Sequence, residues 1–564
     1  MKSSKSKSLT RRQFIKLSGV AAISSVVPML GNTPKEIISG HIGNKPGEII
    51  SKQLWKKKRP NLLFVFSDQQ SRDMIGCYGN EDLKTPNLDR FASEGIKFEQ
   101  SISSCPVCTA YRGMLMSGQH SLYNGAIYND VPLLADNGKY FAHVLGDAGY
   151  KTGYIGKWHL LGGDRNRPIP PGKMRYGFDE TFLLNNCTTN FNNPGECFYW
   201  NDKGEKVLFH EWEVTGQTNQ ALTFLDGFSS ESEDPFALFV SWHPPHDWGI
   251  HFDSLIYQYD TLPELMNLYD PKKIRLRPNV KDTPAVRRAY QGYYGMISGV
   301  DNEFGRLMEK LHQKGLEDNT LVVFTSDHGD NLHSHDLAIC KRTPYDPSIR
   351  TPLIMRFPNH LQRGKSTELI INSMDMMPTI LGLLGLDIPA SVQGEDLSSA
   401  ILMEKEDTVK SAPLFFFNPA WRGVYTKEYT YAIGKFSQHA IGKNGKLIMK
   451  EYPLNVLFNR SNDPYQMNNL YDDKSSSSLK EEMEKLTKEW MDKFDDPGIK
   501  VSWKELAGLY GYPDPGLMHL FEDRPEEIER LYQYPNGHFP QYTKEPGFKG
   551  RPIDVLKKHY SKLN

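Results

Sequence analysis

From Pro106 to Gly118 the chain reads Pro-Val-Cys-Thr-Ala-Tyr-Arg-Gly-Met-Leu-Met-Ser-Gly. The pattern predicts a helix that starts at Cys108 and stops at Gly118, because glycine tolerates the left-handed conformation that ends helices. A cysteine in a first helical turn lies where unpaired N–H groups and the positive end of the dipole favour a negative sulfur or oxygen. Arg112, four residues on, shares its helix face. Thiol and guanidinium can therefore point into one site, while Met114, Leu115 and Met116 suit burial. Taken alone, Cys108 is equally compatible with a buried core thiol or a disulfide. Cys105-Pro106-Val107-Cys108 also reads as a redox pair or half a zinc site, although no second C-x-x-C exists to complete the latter.

The other chemically capable residues stand where apolar runs end. Asn61–Ser67 is a short, almost wholly apolar run followed by Asp68-Gln69-Gln70, which is how a buried parallel strand reads. The pattern recurs at 152–156 before Lys157-Trp158-His159, at 236–241 before His243 and His246, and at 321–326 before Asp327-His328-Gly329. Open α/β sheets bind ligands outside the carboxyl ends of their strands, so one crevice is expected to receive all four sets. The connections are long enough for crossover helices. Asp68 with Gln69, and Asp327 with His328, offer oxygen and imidazole ligands at two strand ends. Spacing alone makes that a weak metal signal, equally readable as two solvated loops. His333 and His335 read as part of a solvated loop.

The elements that must position these groups are legible to different degrees. Asp282-Thr283-Pro284 opens the clearest helix, with a cap and proline at its first position, and Ala289, Tyr293, Met296, Val300, Phe304, Leu307 and Leu311 follow at spacings of three and four until Gly315. Ser373-Met374-Asp375-Met376-Met377-Pro378 opens another, closed by Gly385. Past Ala412 the texture changes to aromatic runs broken by Lys-Gly and Asn-Gly turns, which predicts a small antiparallel sheet. An amphipathic helix is expected from Leu479 to Phe494. The expected division is a signal segment at 1–31, a catalytic α/β domain at 58–412, an α+β subdomain at 413–496 and a Pro- and Tyr-rich extension at 497–564.

A chain of 564 residues can bury a large core and exceeds one domain. Its start carries Lys2, Lys5 and Lys7, then Thr10-Arg11-Arg12-Gln13-Phe14-Ile15-Lys16 and an apolar run from Leu17 to Leu30. That is the form of a twin-arginine export signal, with an apolar run too short to span a bilayer comfortably. Removing residues 1–31 takes away six basic and no acidic residues and moves the formal charge from −1 to −7. Such an acidic body gives no sign of nucleic-acid binding. Six cysteines do not make a disulfide scaffold, though Cys187 and Cys197 could bridge in an oxidising compartment.

Cys108-Thr109-Ala110-Tyr111-Arg112, with the Met-Leu-Met-Ser-Gly run behind it, resembles the C-x-P/A-x-R signature of the type I sulfatases, in the alkaline phosphatase superfamily. Ala110 and Tyr111 depart from the commoner Pro and Ser, and Cys105 lacks an arginine four residues on. The resemblance runs in matching order from Pro60 to Asp473. It implies an alkaline-phosphatase-like mixed, mostly parallel sheet flanked by helices, with a smaller C-terminal α+β subdomain. It also implies that Cys108 is oxidised to formylglycine by a maturase, and that Asp68, Gln69, Asp327 and His328 hold a divalent cation, for which calcium is expected. Gln69 stands where the family commonly has Asp. Lys157 and His159 match the Gly-Lys-Trp-His element, in which the lysine binds sulfate and the histidine contacts the nucleophile. His246 matches the histidine that meets the leaving oxygen, and Lys341 the second sulfate-binding lysine.

On that resemblance the hydrated aldehyde at position 108, assisted by Arg112, attacks sulfur while His246 protonates the departing alcohol. Proton loss to His159 then expels sulfate. The implied protein is an exported sulfatase, periplasmic or extracellular, that leaves by the Tat machinery and acts on a sulfated carbohydrate. A phosphoester or phosphonate hydrolase of the same superfamily, and a sulfated-glycan-binding protein without turnover, are the alternatives.

Overall fold

The computed structural model describes residues 58–500, apart from 135–136, 163–167, 170, 179–180, 186, 188–193 and 252–253. The expected signal segment and the extension beyond residue 500 lie outside the described residues.

The main sheet is built on strands β1 (Asn61–Ser67), β2 (Ile96–Ile102), β3 (Lys151–Lys157), β4 (Thr181–Asn185), β5 (Phe198–Trp200), β6 (Lys206–Leu208), β7 (Phe236–Ser241), β8 (Thr320–Ser326), β9 (Leu353–Arg356) and β10 (Lys365–Asn372). They lie in the order β10-β2-β9-β8-β1-β7-β3-β4-β5-β6. β8, β1, β7 and β3 are consecutive and parallel, with Ser67 opposite Ser326, and Ser241 opposite both Phe66 and Gly156. The four strands with polar ends are thus neighbours, and their carboxyl ends open on one crevice. Every residue of β1 and β8 is buried, as expected of strands covered by helices on both faces. β9 runs antiparallel between β8 and β2.

Helices α1 (Pro86–Glu94), α2 (Cys108–Ser117), α3 (Glu213–Asp226), α4 (Pro284–Gln313) and α5 (Met376–Leu383) belong to this layer. α4 starts where its cap predicts: the Thr283 hydroxyl accepts the Val286 N–H at 3.2 Å. Its Gly292 admits the backbone of Tyr259, since a Cβ there would lie 1.9 Å from the Tyr259 carbonyl oxygen. α5 starts later than Ser373 because the Asp375 carboxylate accepts the Asn372 N–H and Nδ2 in a local turn. α2 is buried on all sides, and Gly118 closes it at φ +63° with its N–H on the Met114 carbonyl.

β11 (Ser411–Phe417), β12 (Ala420–Thr426), β13 (Tyr429–Ile441) and β14 (Leu447–Asn459) form a separate antiparallel sheet in sequence order, with α6 (Ser477–Lys493) against it. Met483 of α6 packs with Val424, Tyr431 and Leu457. The sheet's other apolar cluster, including Phe415 and Phe416, encloses Val107, Ala110 and Met114, so the second sheet buttresses the cysteine helix.

One open possibility is not realised and one expectation is corrected. No disulfide joins Cys187 to Cys197: the Cys197 thiol donates to Glu213 Oε2 at 3.4 Å, and Cys187 lies beside His159 and His243. Nor is the loop at His333 solvated: His333 is 6% exposed and accepts the Tyr257 N–H, while His335 stacks on Tyr345 at 4.3 Å. Burial pushes both imidazoles down to about 4, so they are neutral packing groups.

Candidate active site

Cys108 is the focus of the crevice. Its Sγ lies 3.3 Å from His328 Nε2 and from Lys341 Nζ, and 3.6 Å from Lys157 Nζ and from Asp68 Oδ1. The thiol is fully buried. Burial pushes it towards the neutral form, but Lys157, Lys341 and His328 overcome this and hold it well below its ordinary range.

Asp68 and Asp327 arrive from β1 and β8, and Arg112 locks them together. Its Nη2 donates to Asp68 Oδ2 and to Asp327 Oδ2, both at 3.0 Å, and its Nη1 reaches the Lys157 carbonyl and Ser241 Oγ at 2.8 and 2.7 Å. Arg112 therefore joins four segments and positions the carboxylates in the site it shares with the thiol. Lys157 Nζ completes the ring at 2.7 Å from Asp68 Oδ2. Gly156, at φ +116°, lies so close to β7 that a Cβ would meet the Ser241 carbonyl at 2.0 Å, and only glycine permits this path into Lys157. Burial and Asp68 raise Asp327 to about 6; burial and Cys108 raise Asp68, but Lys157, His246 and Lys341 outweigh them and lower it well below its ordinary value.

One donor atom each from Asp68, Cys108, Asp327 and His328 lies within 4.8 Å of the others, a spacing able to hold a cation. Gln69 fits the same role. Its Nε2 donates to Asp247 Oδ2 at 2.9 Å and to Asp330 Oδ2 at 2.7 Å, while its buried Oε1 has no hydrogen-bond partner among the described residues. Orphaned buried oxygens are costly, and a divalent ion would satisfy this one. Where an Asp at this position would add a carboxylate beside Asp247 and Asp330, the amide bridges them.

On the opposite wall His246 Nε2 lies 2.9 Å from Lys341 Nζ, and its Nδ1 faces its neighbour's carbonyl, Asp247 O, at 2.7 Å. His159 Nε2 pairs with Asp130 Oδ1 at 3.1 Å. Burial opposes its protonation, but Cys187, Asp130 and Cys108 carry His159 up to about 10. All ten residues expected from the sequence thus meet in one crevice. Sequence reading missed Asp130, Asp247, Asp330, Cys187 and the part taken by His243, whose Nε2 lies 3.2 Å from Lys157 Nζ. Asp247 and Asp330 follow strand ends already singled out; Asp130 and Cys187 lie in loops with no local signal.

A buried nucleophile position at a helix N-terminus, with lysines, paired carboxylates and imidazoles at the ends of parallel strands, defines a hydrolase site for tetrahedral oxyanion esters. Residues 60–386 match the Sulfatase family and 338–493 the N-sulphoglucosamine sulphohydrolase C-terminal family, and the chain belongs to the sulfatases of the alkaline phosphatase superfamily. It is 31% identical over 444 residues to an ulvan-active sulfatase of Formosa agariphila, covering 76% of this chain and 81% of that one. It is 29% identical over 498 residues to an endo-4-O-sulfatase of Bacteroides thetaiotaomicron, covering 78% and 93%. A solved structure from Bacteroides thetaiotaomicron, described with the metabolism of multiple glycosaminoglycans, superposes at a TM-score of 0.68 with 28% identity, covering 78% of this chain and 97% of that one.

Proposed function

We propose that this sulfatase removes sulfate from a sulfated glycan, after oxidation of Cys108 to formylglycine, with calcium held by Asp68, Gln69, Asp327 and His328. The observation that carries the reading is the convergence of Lys157, Lys341, His328 and Asp68 on Cys108 Sγ at 3.3–3.6 Å. That sulfur stands in for the oxygen that maturation would place there. When present, the cation would draw negative charge from the sulfuryl oxygens, and the hydrated aldehyde would supply a nucleophilic hydroxyl.

The remaining roles belong to this chain's side chains. Lys157 and Lys341, both nearly fully buried, are placed to bind sulfuryl oxygens where low dielectric makes charge most effective. His246, on the more open wall beside Lys341, is placed to hand a proton to the departing alcohol. His159, fixed by Asp130 and held protonated beside Cys187 and Cys108, would have to give up its own proton before it could take the one lost from the nucleophile. The glycan assignment rests on the names of the relatives, and export through a twin-arginine signal into the periplasm or beyond rests on residues 1–31. A formylglycine-installing maturase and the Tat machinery are then the protein partners. Domain limits of 58–412, 413–496 and 497–564 belong to the same proposal.

Peptide mass spectrometry across Cys108 in protein from its own host tests this reading. An aldehyde in place of the thiol is expected. An intact cysteine in fully active protein would overturn the formylglycine mechanism, and a phosphate or phosphonate ester hydrolysed faster than its sulfate counterpart would overturn the sulfate assignment.

A further inference from the structure

β13 and β14 run on past the rest of their sheet. β12 pairs with β13 only as far as Gly434, whereas β13 and β14 stay in register out to Ile441 and Leu447 and close in a turn at Asn444-Gly445. This arm is held against the crevice. The edge of β13 that β12 leaves bare is taken by the segment leading to Lys341: the His439 N–H donates to the Ala338 carbonyl at 3.1 Å, and the Ala338 N–H to Gln438 Oε1 at 2.9 Å. The Tyr257 hydroxyl lies 3.0 Å from His439 Nδ1, and Tyr257 is in the loop that follows His246. The arm, the Lys341 segment and the His246 loop form one continuous rim. From His439 to the turn the arm reaches about 16 Å further.

The composition of the arm is unlike that of the chain that carries it. Between residues 435 and 451 stand Lys435, Lys443, Lys446 and Lys450 against the single acid Glu451, in a chain of formal charge −1. Lys435 is paired with Glu451 at 3.2 Å, but Lys443 and Lys446, exposed at the turn, have no carboxylate partner among the described residues. Paired residues of an antiparallel ladder share a face, so Met449 and Ile441 lie on the face of His439, the residue in contact with Tyr257. Met449 and Ile441 are 44% and 50% exposed. Ile448 and Lys450 belong to the opposite face.

We propose that this arm is a docking wall for the anionic polysaccharide beyond the ester being cleaved. Sulfates further along the chain meet Lys443 and Lys446, and sugar faces lie on Met449 and Ile441. The inference rests on the sulfated-glycan reading above, and adds the part of the molecule that distinguishes a polymer from a small ester.

The test compares matured wild type with Lys443→Glu/Lys446→Glu at the turn, and with Lys450→Glu as a control further back along β14, away from the turn. The probes are 4-nitrophenyl sulfate turnover, retardation in gels containing ulvan or chondroitin sulfate, and kinetics on whichever polymer is desulfated. The double variant is expected to raise KM on polymer about tenfold with kcat unchanged. That difference should vanish at high salt, and aryl-ester turnover should not change. Unchanged polymer binding and KM in the double variant overturns the proposal, as does an equal effect from Lys450→Glu. Loss of binding to anionic phospholipid vesicles with polymer KM unchanged also overturns it, assigning the arm to a lipid surface. If wild type hydrolyses no sulfate ester but is retarded by polymer through Lys443 and Lys446, the sulfatase reading fails and the arm stands.

Discussion

On one side of the crevice Asp68, Asp327 and Arg112 have no exposed surface, while on the other the His246 side chain keeps 17% of its area in solvent and leads to an arm whose tip is open. The buried side is a closed ring in which each charge answers another: Arg112 to both carboxylates, Lys157 to Asp68. Such a ring is costly to assemble and costly to break, because removing one member leaves the others buried without a partner. The open side carries fewer obligations. Charge on the buried side can be held in one geometry for chemistry, and the open side can vary with the substrate.

The comparison breaks most severely at Asp327, which contributes to both the ring and the cation cluster. Asp327→Ala is expected to abolish calcium binding in titration calorimetry and to lower sulfate-ester turnover by about a thousandfold or more. Full activity in demonstrably metal-free protein would remove the cation from the assignment altogether.

Arg112→Met tests the ring as a structural device. It leaves Asp68 and Asp327 side by side, with Lys157 on only one of them, and a loss of about 3–5 kcal/mol is expected from denaturant midpoints. A loss below 1 kcal/mol would mean that the carboxylates are separated by other groups and that the ring is not the closed unit described.

The open wall should respond in kind rather than in bulk. His246→Ala is expected to slow a sugar sulfate about a hundredfold and an aryl sulfate far less, since a phenolate leaves without a proton. Equal losses on the two esters would exclude His246 as the proton donor.

The smallest expected effect comes from Glu213, a buried acid of α3 that accepts from Tyr199, Cys197 and Gln217 outside the ring and has no cation bonded to it among the described residues. Burial raises its carboxyl from 4.5 to about 7. The folded state therefore keeps a proton that the unfolded chain releases, so the contribution is fully present below about 4.5 and is lost as pH rises through about 7. Glu213→Gln should remove this decline and gain about 1–3 kcal/mol at pH 8 relative to wild type. Parallel stability curves for the two proteins from pH 4 to 8 would show that Glu213 ionises freely and that burial alone does not set the contrast.

Signals contained in a few residues were enough to place the strands ending at Ser67, Ser241 and Ser326, the helix from Cys108 to Gly118, the cap at Thr283 and the change to an antiparallel sheet near Ala412. Burial on two faces, helix stops and turn residues act locally, so they can be read locally. The ten residues that the sequence singled out and the fold brings into one crevice were legible for a related reason: most follow the ends of those elements, in an order that matches a family signature. Tertiary structure alone decided that β8, β1, β7 and β3 are neighbours, that Arg112 holds two carboxylates 259 residues apart in sequence, and that Gln69 turns its amide to Asp247 and Asp330. It also buried His333, left Cys187 and Cys197 unbridged and carried β13 past its neighbours to the rim. Each of these depends on which distant groups packing brings within hydrogen-bonding distance, and periodicity within a segment carries no record of that.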